Sequence, residues 1–339
     1  MSSRATNAAN RWDCCGPSVR AIEFVQFGDL SQLRLVERAD PHVTGSTAIV
    51  RVEAASVNPS DVKNIAGRMS QTTLPRIPGR DYSGVVVEGP GEWNGLSVWG
   101  TGGDTGFTRD GTHAEFIEVP TASLVRKPDR LSHDAAASLG VTFLTAWCGI
   151  VDYAGLSQGE TLAVIGAGGG VGGAAVQIAK QRGARVIAIS RKPLSPDSPA
   201  AKLADVRVEN GEDLAAAVWS STGGRGADVV LDAAGGAMFE TALKLLAHRG
   251  RLVEITAGKE RRVSFDVIDF YRNESQLFGV DSLKRDLSAA AVTLRKLSPG
   301  FESLAYLAPL IGAVLPLEQA REAYQLVADG QPGRVVLRP

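Results

Sequence analysis

Residues 159–191 restrict the fold of this chain more than any other segment. An apolar run at 161–165 leads into a cluster of glycines, residues 171–181 carry a helical pattern, and a second apolar run follows at 185–189. Strand, glycine loop, helix and strand in that order are what a dinucleotide site needs. The glycines let the backbone turn tightly and approach a pyrophosphate, and the helix start offers free N–H groups and a positive dipole end. The loop reads as Ala167-x-Gly169-x-x-Gly172, with Ala167, Gly168, Gly169, Gly170, Val171 and Gly172 as the candidate binding residues. About 20 residues after such glycines, a site for NAD(H) places an aspartate or glutamate on the ribose hydroxyls. Here the residues are Ser190, Arg191 and Lys192. A carboxylate would repel a 2′-phosphate, whereas a hydroxyl and two cations bind one. The expected cofactor is NADP(H).

At 339 residues the chain is too long for one ordinary core, so two domains are expected. Its 44% hydrophobic and 22% charged residues fit a globular protein. A net charge of −1, with no basic and aromatic-rich stripe, argues against nucleic acid or an anionic membrane as the main partner. No apolar run approaches the length of a membrane span. Residues 1–18 are polar, lack an apolar signal core and read as a disordered extension. Three cysteines, two of them adjacent at Cys14 and Cys15, cannot frame a disulfide network, so a cytoplasmic location is expected.

Between 19 and 126 the chain shows short β-type runs, at 19–24, 33–36, 48–55, 83–87, 114–119 and 124–126, broken by Gly, Pro, Asn and Asp. This pattern predicts an antiparallel β domain, a partly open barrel. Ser132 opens a predicted helix, and a second is predicted at 141–151. Strands predicted at 161–165, 185–189, 229–232, 252–255 and 277–280 then alternate with helices, which argues for an α/β, doubly wound parallel sheet. Helical patterns at 287–296 and 317–328 and a strand at 333–337 are expected to return to the first domain, so that the cofactor domain is an insertion.

Several longer motifs occur in a telling order. They are Ser56-Val57-Asn58-Pro59-Ser60-Asp61-Val62-Lys63, Pro78-Gly79-Arg80-Asp81-Tyr82-Ser83-Gly84-Val85-Val86, Gly111-Thr112-His113-Ala114-Glu115-Phe116 and Leu144-Thr145-Ala146-Trp147, then the glycine loop, then Gly333-Arg334-Val335-Val336-Leu337. Through them the chain resembles, over nearly its whole length beyond residue 19, the zinc-independent branch of the medium-chain dehydrogenase/reductases, close to quinone oxidoreductases and enone reductases. The resemblance implies a GroES-like β-barrel catalytic domain, residues 19–140 and 284–339, beside a Rossmann NADP(H)-binding domain, residues 141–283. It also implies a nicotinamide in the cleft between them and a homodimer joined through the Rossmann sheet edge.

Zinc-dependent alcohol dehydrogenases of that family bind their metal through Cys and His in the first two motifs. The resemblance puts Asn58 and Arg80 at those positions and apolar Val141 near the third. A catalytic zinc needs about three N, S or carboxylate ligands, so no metal is expected. Without a Lewis acid, conjugate reduction is better supported than reduction of an unactivated ketone, because charge gathers on an oxygen that a hydrogen-bond donor can stabilise. The expected activity is NADPH-dependent hydride transfer to a small-molecule quinone or to the C=C of an α,β-unsaturated carbonyl compound. A zinc-independent alcohol dehydrogenase or carbonyl reductase, and a non-catalytic cofactor- or RNA-binding relative, are the competing readings.

Asn58 is the candidate donor to the substrate oxygen or to the nicotinamide ribose, the other reading being a turn residue before Pro59. Lys63 is a candidate proton donor, its alternative a solvated charge on a helix beginning at Ser60. The resemblance places Thr145 on the nicotinamide ribose or carboxamide and lets 279–282, with Val280 and Ser282, offer backbone groups to the carboxamide. Substrate choice in the family falls to loops such as 93–107 and 265–271, where Trp93, Trp99, Phe265 and Tyr271 suit a ring or alkyl chain, although apolar loops also arise from domain packing.

Overall fold

A computed structural model describes residues 18–209 and 213–339. The expected extension over 1–18, apart from Ser18, lies outside the described residues, as do Cys14 and Cys15. The N-terminal part holds β1 (Ser18–Glu23), β2 (Arg34–Ala39), β3 (Thr47–Val57), α1 (Pro59–Ile65), β4 (Asp81–Glu88), β5 (Ser97–Gly100) and β6 (Phe116–Pro120). Next come α2 (His133–Ala137) and α3 (Gly140–Trp147), which runs on as a π-helical turn over Cys148–Tyr153. The following part alternates β7 (Thr161–Ile165), α4 (Gly170–Gln181), β8 (Arg185–Ser190), α5 (Pro199–Leu203), β9 (Val206–Glu209), α6 (Leu214–Ser221), β10 (Ala227–Asp232), α7 (Phe239–Lys244), β11 (Leu246–Glu254), α8 (Val267–Arg272) and β12 (Gln276–Gly279). Finally come α9 (Leu287–Glu302), β13 (Ile311–Pro316), α10 (Ala320–Ala328) and β14 (Arg334–Arg338).

The alternating part forms a six-stranded parallel sheet in the order β12-β11-β10-β7-β8-β9. Chain direction across the sheet reverses between β7 and β10, and in doubly wound sheets the ligand crevice lies at that reversal, beyond the C-terminal strand ends. β7 is buried at all five positions, as expected of a strand covered on both faces. The other large sheet is built on β3. Its one side pairs with β4, while the other is shared by β6 over residues 47–51 and by β14 over 55–57. The C-terminal strand therefore lies in the sheet of the N-terminal part, with the Rossmann sheet between the two in sequence.

Helix starts follow their capping residues. Ser132 Oγ accepts the Ala135 N–H at the start of α2, and Asp286 does the same for Ala289 at α9. β5, β9 and β13 are not among the predicted strands, since runs of four to six residues are too short to establish a period. The strand predicted at 124–126 is reduced to a single bridge between Val98 and Arg126, since a 3-10 turn at Thr121–Ser123 precedes it. Loop 93–107 contains β5, and Trp99 is fully buried. Its indole meets Phe301 of α9 edge to face (5.8 Å between centroids), and Phe301 packs at a tilt against Phe143 of α3 (5.0 Å). That aromatic stack ties the β domain to the Rossmann domain, so Trp99 is core and not a substrate contact. Segment 265–271 is likewise elsewhere: Phe265 and Phe270 line a cavity of about 380 Å³ against Trp219 and Leu243. Among the described residues no helix is long and apolar enough to cross a membrane.

Candidate active site

Gly166, at the end of β7, takes a positive φ of 81° and turns the chain, a conformation that favours glycine. Gly169 is the N-cap of α4 and provides no side-chain cap, so the first helical N–H groups face outward. A Cβ on Gly172 would sit 2.3 Å from the Gly166 carbonyl oxygen, so only glycine lets the helix pack this closely on the loop. Gly168, Gly169 and Gly170 line a cavity of about 720 Å³ between the two domains. Ala167 is buried behind them.

Ser190, Arg191 and Lys192 line the same cavity at the end of β8. The Ser190 hydroxyl donates to the Lys192 carbonyl (2.8 Å) and folds the turn. Arg191 and Lys192 are exposed and form no ion pair among the described residues, while nearby Asp197 pairs with Lys202 (3.3 Å).

The opposite wall brings in a residue that sequence reasoning quoted only as part of a terminal motif. Arg334, at the start of β14, lines the cavity, and its Nη1 lies 3.4 Å from where a Cβ on Gly170 would be. Its Nη2 donates to Asn58 Oδ1 (2.6 Å) and Ser56 Oγ (3.1 Å). Asp81 is the hub beneath it. Its Oδ2 accepts from Asn58 Nδ2 (3.0 Å) and the Ser56 hydroxyl (3.1 Å) and lies 3.9 Å from Arg334 Nη2. Its Oδ1 accepts the Val141 N–H at the start of α3 (2.9 Å). Thr142, also missed, packs on Gly170 from α3. Nothing in a lone Arg or Thr distinguishes these residues before β14 is laid beside β3.

Around this hub lie the residues that stand where the resemblance puts metal ligands. Arg80 is buried, its Nε donates to the Gly102 carbonyl (3.0 Å) and its guanidinium lies 5.8 Å over the Phe107 ring. Burial lowers the pKa of both Arg80 and Arg334, opposed mainly by the Asp81 charge. Burial pushes the Asp61 carboxyl up to about 7, although it accepts the Asn58 N–H (2.8 Å). His113 is buried, which lowers it to about 4, and both ring nitrogens are engaged, with Tyr324 Oη (3.0 Å) and the Ser56 carbonyl (3.3 Å). His133 Nδ1 faces the Ser83 hydroxyl (2.8 Å). Among the described residues no group of three His, Cys, Asp or Glu side chains is arranged to hold a metal ion.

Other residues singled out in the sequence are not brought to this cavity. Asn58 is 1% exposed, with its amide spanning Arg334 and Asp81. Lys63 is exposed: α1 buries Asp61, Asn64 and Ile65, and at 100° per residue position 63 falls on the opposite face. Thr145 is buried one turn beyond Thr142. Val280 and Ser282 are buried at the end of β12. Nearby, the Gly103 N–H donates to the Arg285 carbonyl (2.6 Å).

The strand ends of the Rossmann sheet hold one further charged pair. Asp232 and Glu254 are register partners at the C-terminal ends of β10 and β11. Asp232 Oδ1 accepts from the Ala234 and Gly235 N–H groups (2.8 Å each), whereas Asp232 Oδ2 and Glu254 Oε2 are buried without partners. Burial, then the Asp232 charge, pushes Glu254 up to about 7. A carboxyl whose pKa is raised by folding adds stability below its unfolded pKa of about 4.5, and that contribution is lost as pH rises through about 7. Glu254→Gln is therefore expected to match the wild type near pH 4.5 and to be more stable at pH 8 by on the order of 1 to 2 kcal/mol. Urea melts at the two pH values check this, and an equal change at both would contradict it.

Comparison with known proteins agrees with this architecture. Residues 45–129 match the alcohol dehydrogenase GroES-like domain family, and residues 170–295 match the zinc-binding dehydrogenase family. A zinc-type alcohol dehydrogenase-like protein of Schizosaccharomyces pombe is 36% identical over 275 residues, covering 78% of this chain and 79% of that protein. Human quinone oxidoreductase is 27% identical over 330 residues, covering 94% of this chain and 97% of its own. Among solved structures, an NAD-dependent alcohol dehydrogenase superposes with a TM-score of 0.84 at 32% identity, covering 94% of this chain and 99% of that one. A mycobacterial protein in complex with NADPH superposes with a TM-score of 0.82 at 27% identity, covering 95% of this chain and 100% of that one. The chain belongs to the medium-chain dehydrogenase/reductase family, of the quinone oxidoreductase type. It is an oxidoreductase of a family that works with a nicotinamide cofactor.

Proposed function

We infer that the protein is an NADPH-dependent, metal-free reductase of quinones or of the C=C of α,β-unsaturated carbonyl compounds. One observation carries the cofactor site. The Arg334 guanidinium rests against the positive end of α4, and two like charges side by side make a place that a bound anion stabilises. A dinucleotide diphosphate supplies that anion, and the glycine loop leaves room for it. Arg191 and Lys192, which pair with no carboxylate among the described residues, favour a 2′-phosphate at the end of β8.

Zinc does not fit the residues present. Two of the three family positions carry an amide and an apolar side chain, and the third carries the buried Arg80 cation, whose charge would repel a metal. His113 has no free ring nitrogen to offer. Bound NADPH would supply the hydride, while the chain's own residues hold the diphosphate and close the cleft against water. Electron-poor acceptors match such a site, because they need little polarisation of an oxygen.

Incubation of the protein with NADPH and 1,4-benzoquinone, 2-cyclohexenone or cyclohexanone tests the activity. Turnover of the first two is expected; turnover of cyclohexanone alone would replace this reading with carbonyl reduction. The open edge of the parallel sheet, β12, lies near exposed Val267, Ile268, Tyr271 and Leu277, which supports a homodimer paired along that edge. Sedimentation at twice the chain mass, reduced to the monomer by Leu277→Arg, is the expected result. A monomeric wild type would rule the dimer out.

A further inference from the structure

We propose that Asn58 is a positioning residue for the cofactor diphosphate: it holds Arg334 against the glycine loop and makes no contact of its own with substrate. The proposal rests on the cleft being a dinucleotide site. Strand register creates the pair. β14 and β3 run antiparallel with Val335 opposite Val57 and Val336 opposite Ser56, so one step further Arg334 stands opposite Asn58. There its Nη2 meets Asn58 Oδ1 at 2.6 Å and Ser56 Oγ at 3.1 Å.

Asn58 cannot turn away from this task. Its Nδ2 donates to Asp81 Oδ2 (3.0 Å), and its backbone N–H donates to Asp61 Oδ2 (2.8 Å). An amide with a cation at one end and a carboxylate at the other has only one workable orientation, oxygen toward Arg334 and nitrogen toward Asp81. Asp81 is itself anchored by the Val141 N–H (2.9 Å). A tether thus runs from β4 through Asn58 to the guanidinium and ends at the first turn of α4.

The choice of an amide over a carboxylate also has a reason. Asp81, 3.9 Å from Nη2, already lowers the cost of burying the guanidinium. A second carboxylate in direct contact would neutralise the charge that a diphosphate needs. A neutral acceptor gives Arg334 direction and leaves its charge to the ligand. In this family position the amide therefore serves the cofactor half of the site.

The test is a set of NADPH fluorescence titrations on the wild type, Asn58→Ala, Arg334→Met and the double variant. Adenosine 2′-phosphate, which lacks the diphosphate, serves as a second probe. Asn58→Ala is expected to raise the Kd for NADPH about tenfold in the wild type and by less than about twofold in the Arg334→Met background, because its effect passes through Arg334. The Kd for adenosine 2′-phosphate is expected to stay within about twofold. Additive losses in the double variant would overturn the proposal, as would equal losses for both probes, which signal general damage to the fold. An unchanged Kd for NADPH with a lowered kcat would return Asn58 to the substrate oxygen. A wild type that binds no NADPH would instead refute the cofactor reading itself.

Discussion

Arg334→Met is expected to weaken NADPH binding by about 10- to 100-fold, the loss of one or two charge-assisted hydrogen bonds to phosphate. Methionine keeps much of the apolar stem that packs at the start of β14 and removes only the charged fork. Arg334→Lys is expected to fall between the two, since an ammonium keeps the charge but cannot bridge Asn58, Ser56 and a phosphate at once. The methionine variant also takes away the cation 3.9 Å from the buried Asp81, so a lower melting temperature should accompany its weaker binding. Raising the salt concentration should narrow the difference between wild type and Met variant, because the removed interaction is ionic. Unaltered NADPH affinity in Arg334→Met would remove the main support for the diphosphate site.

The double variant Arg191→Ala, Lys192→Ala is expected to raise KM for NADPH by about 100-fold while leaving KM for NADH within about twofold. Both side chains are exposed at the end of β8 and are engaged by no carboxylate among the described residues. Their removal should therefore cost the fold nothing measurable, and a melting curve provides the control. Ser190 is a weaker lever, since its hydroxyl already donates to the Lys192 carbonyl and shapes the turn. Steady-state kinetics with both cofactors decide the matter. A wild type that favours NADH, with the double variant unchanged, would contradict the assignment of these cations.

Much of the Rossmann half was legible from the chain. β7 matches the apolar run at 161–165, and α4, β8 and β10 each fall within two residues of the predicted segments. Strands buried on both faces and helices with one buried face leave strong local patterns. The β half was less legible. β5 and β13 are strands of only four and six residues, too short to show a period, and 124–126 has the composition of a strand without a ladder to join. Trp99 shows the same limit, since an aromatic residue in a glycine-rich segment reads equally as a substrate contact or as the core stack it forms with Phe301.

The strand–glycine loop–helix segment, the charge at the end of β8 and the family motifs could be read from the chain, because each is carried by residues close together. Ala167, Gly169 and Gly172 lie within six residues of one another, and Ser190, Arg191 and Lys192 stand at the end of one strand. The place of Arg334 beside that loop emerges from the packed strands alone. Residues 58 and 334 are brought opposite each other by the β3–β14 register, and no local pattern encodes a pairing across that separation. The same register turned Asn58 from an isolated polar residue before a proline into part of a buried network with Asp81 and Arg334. Hydrogen bonds between distant strands depend on the whole sheet being formed, which is why the chain alone could name these residues but not join them.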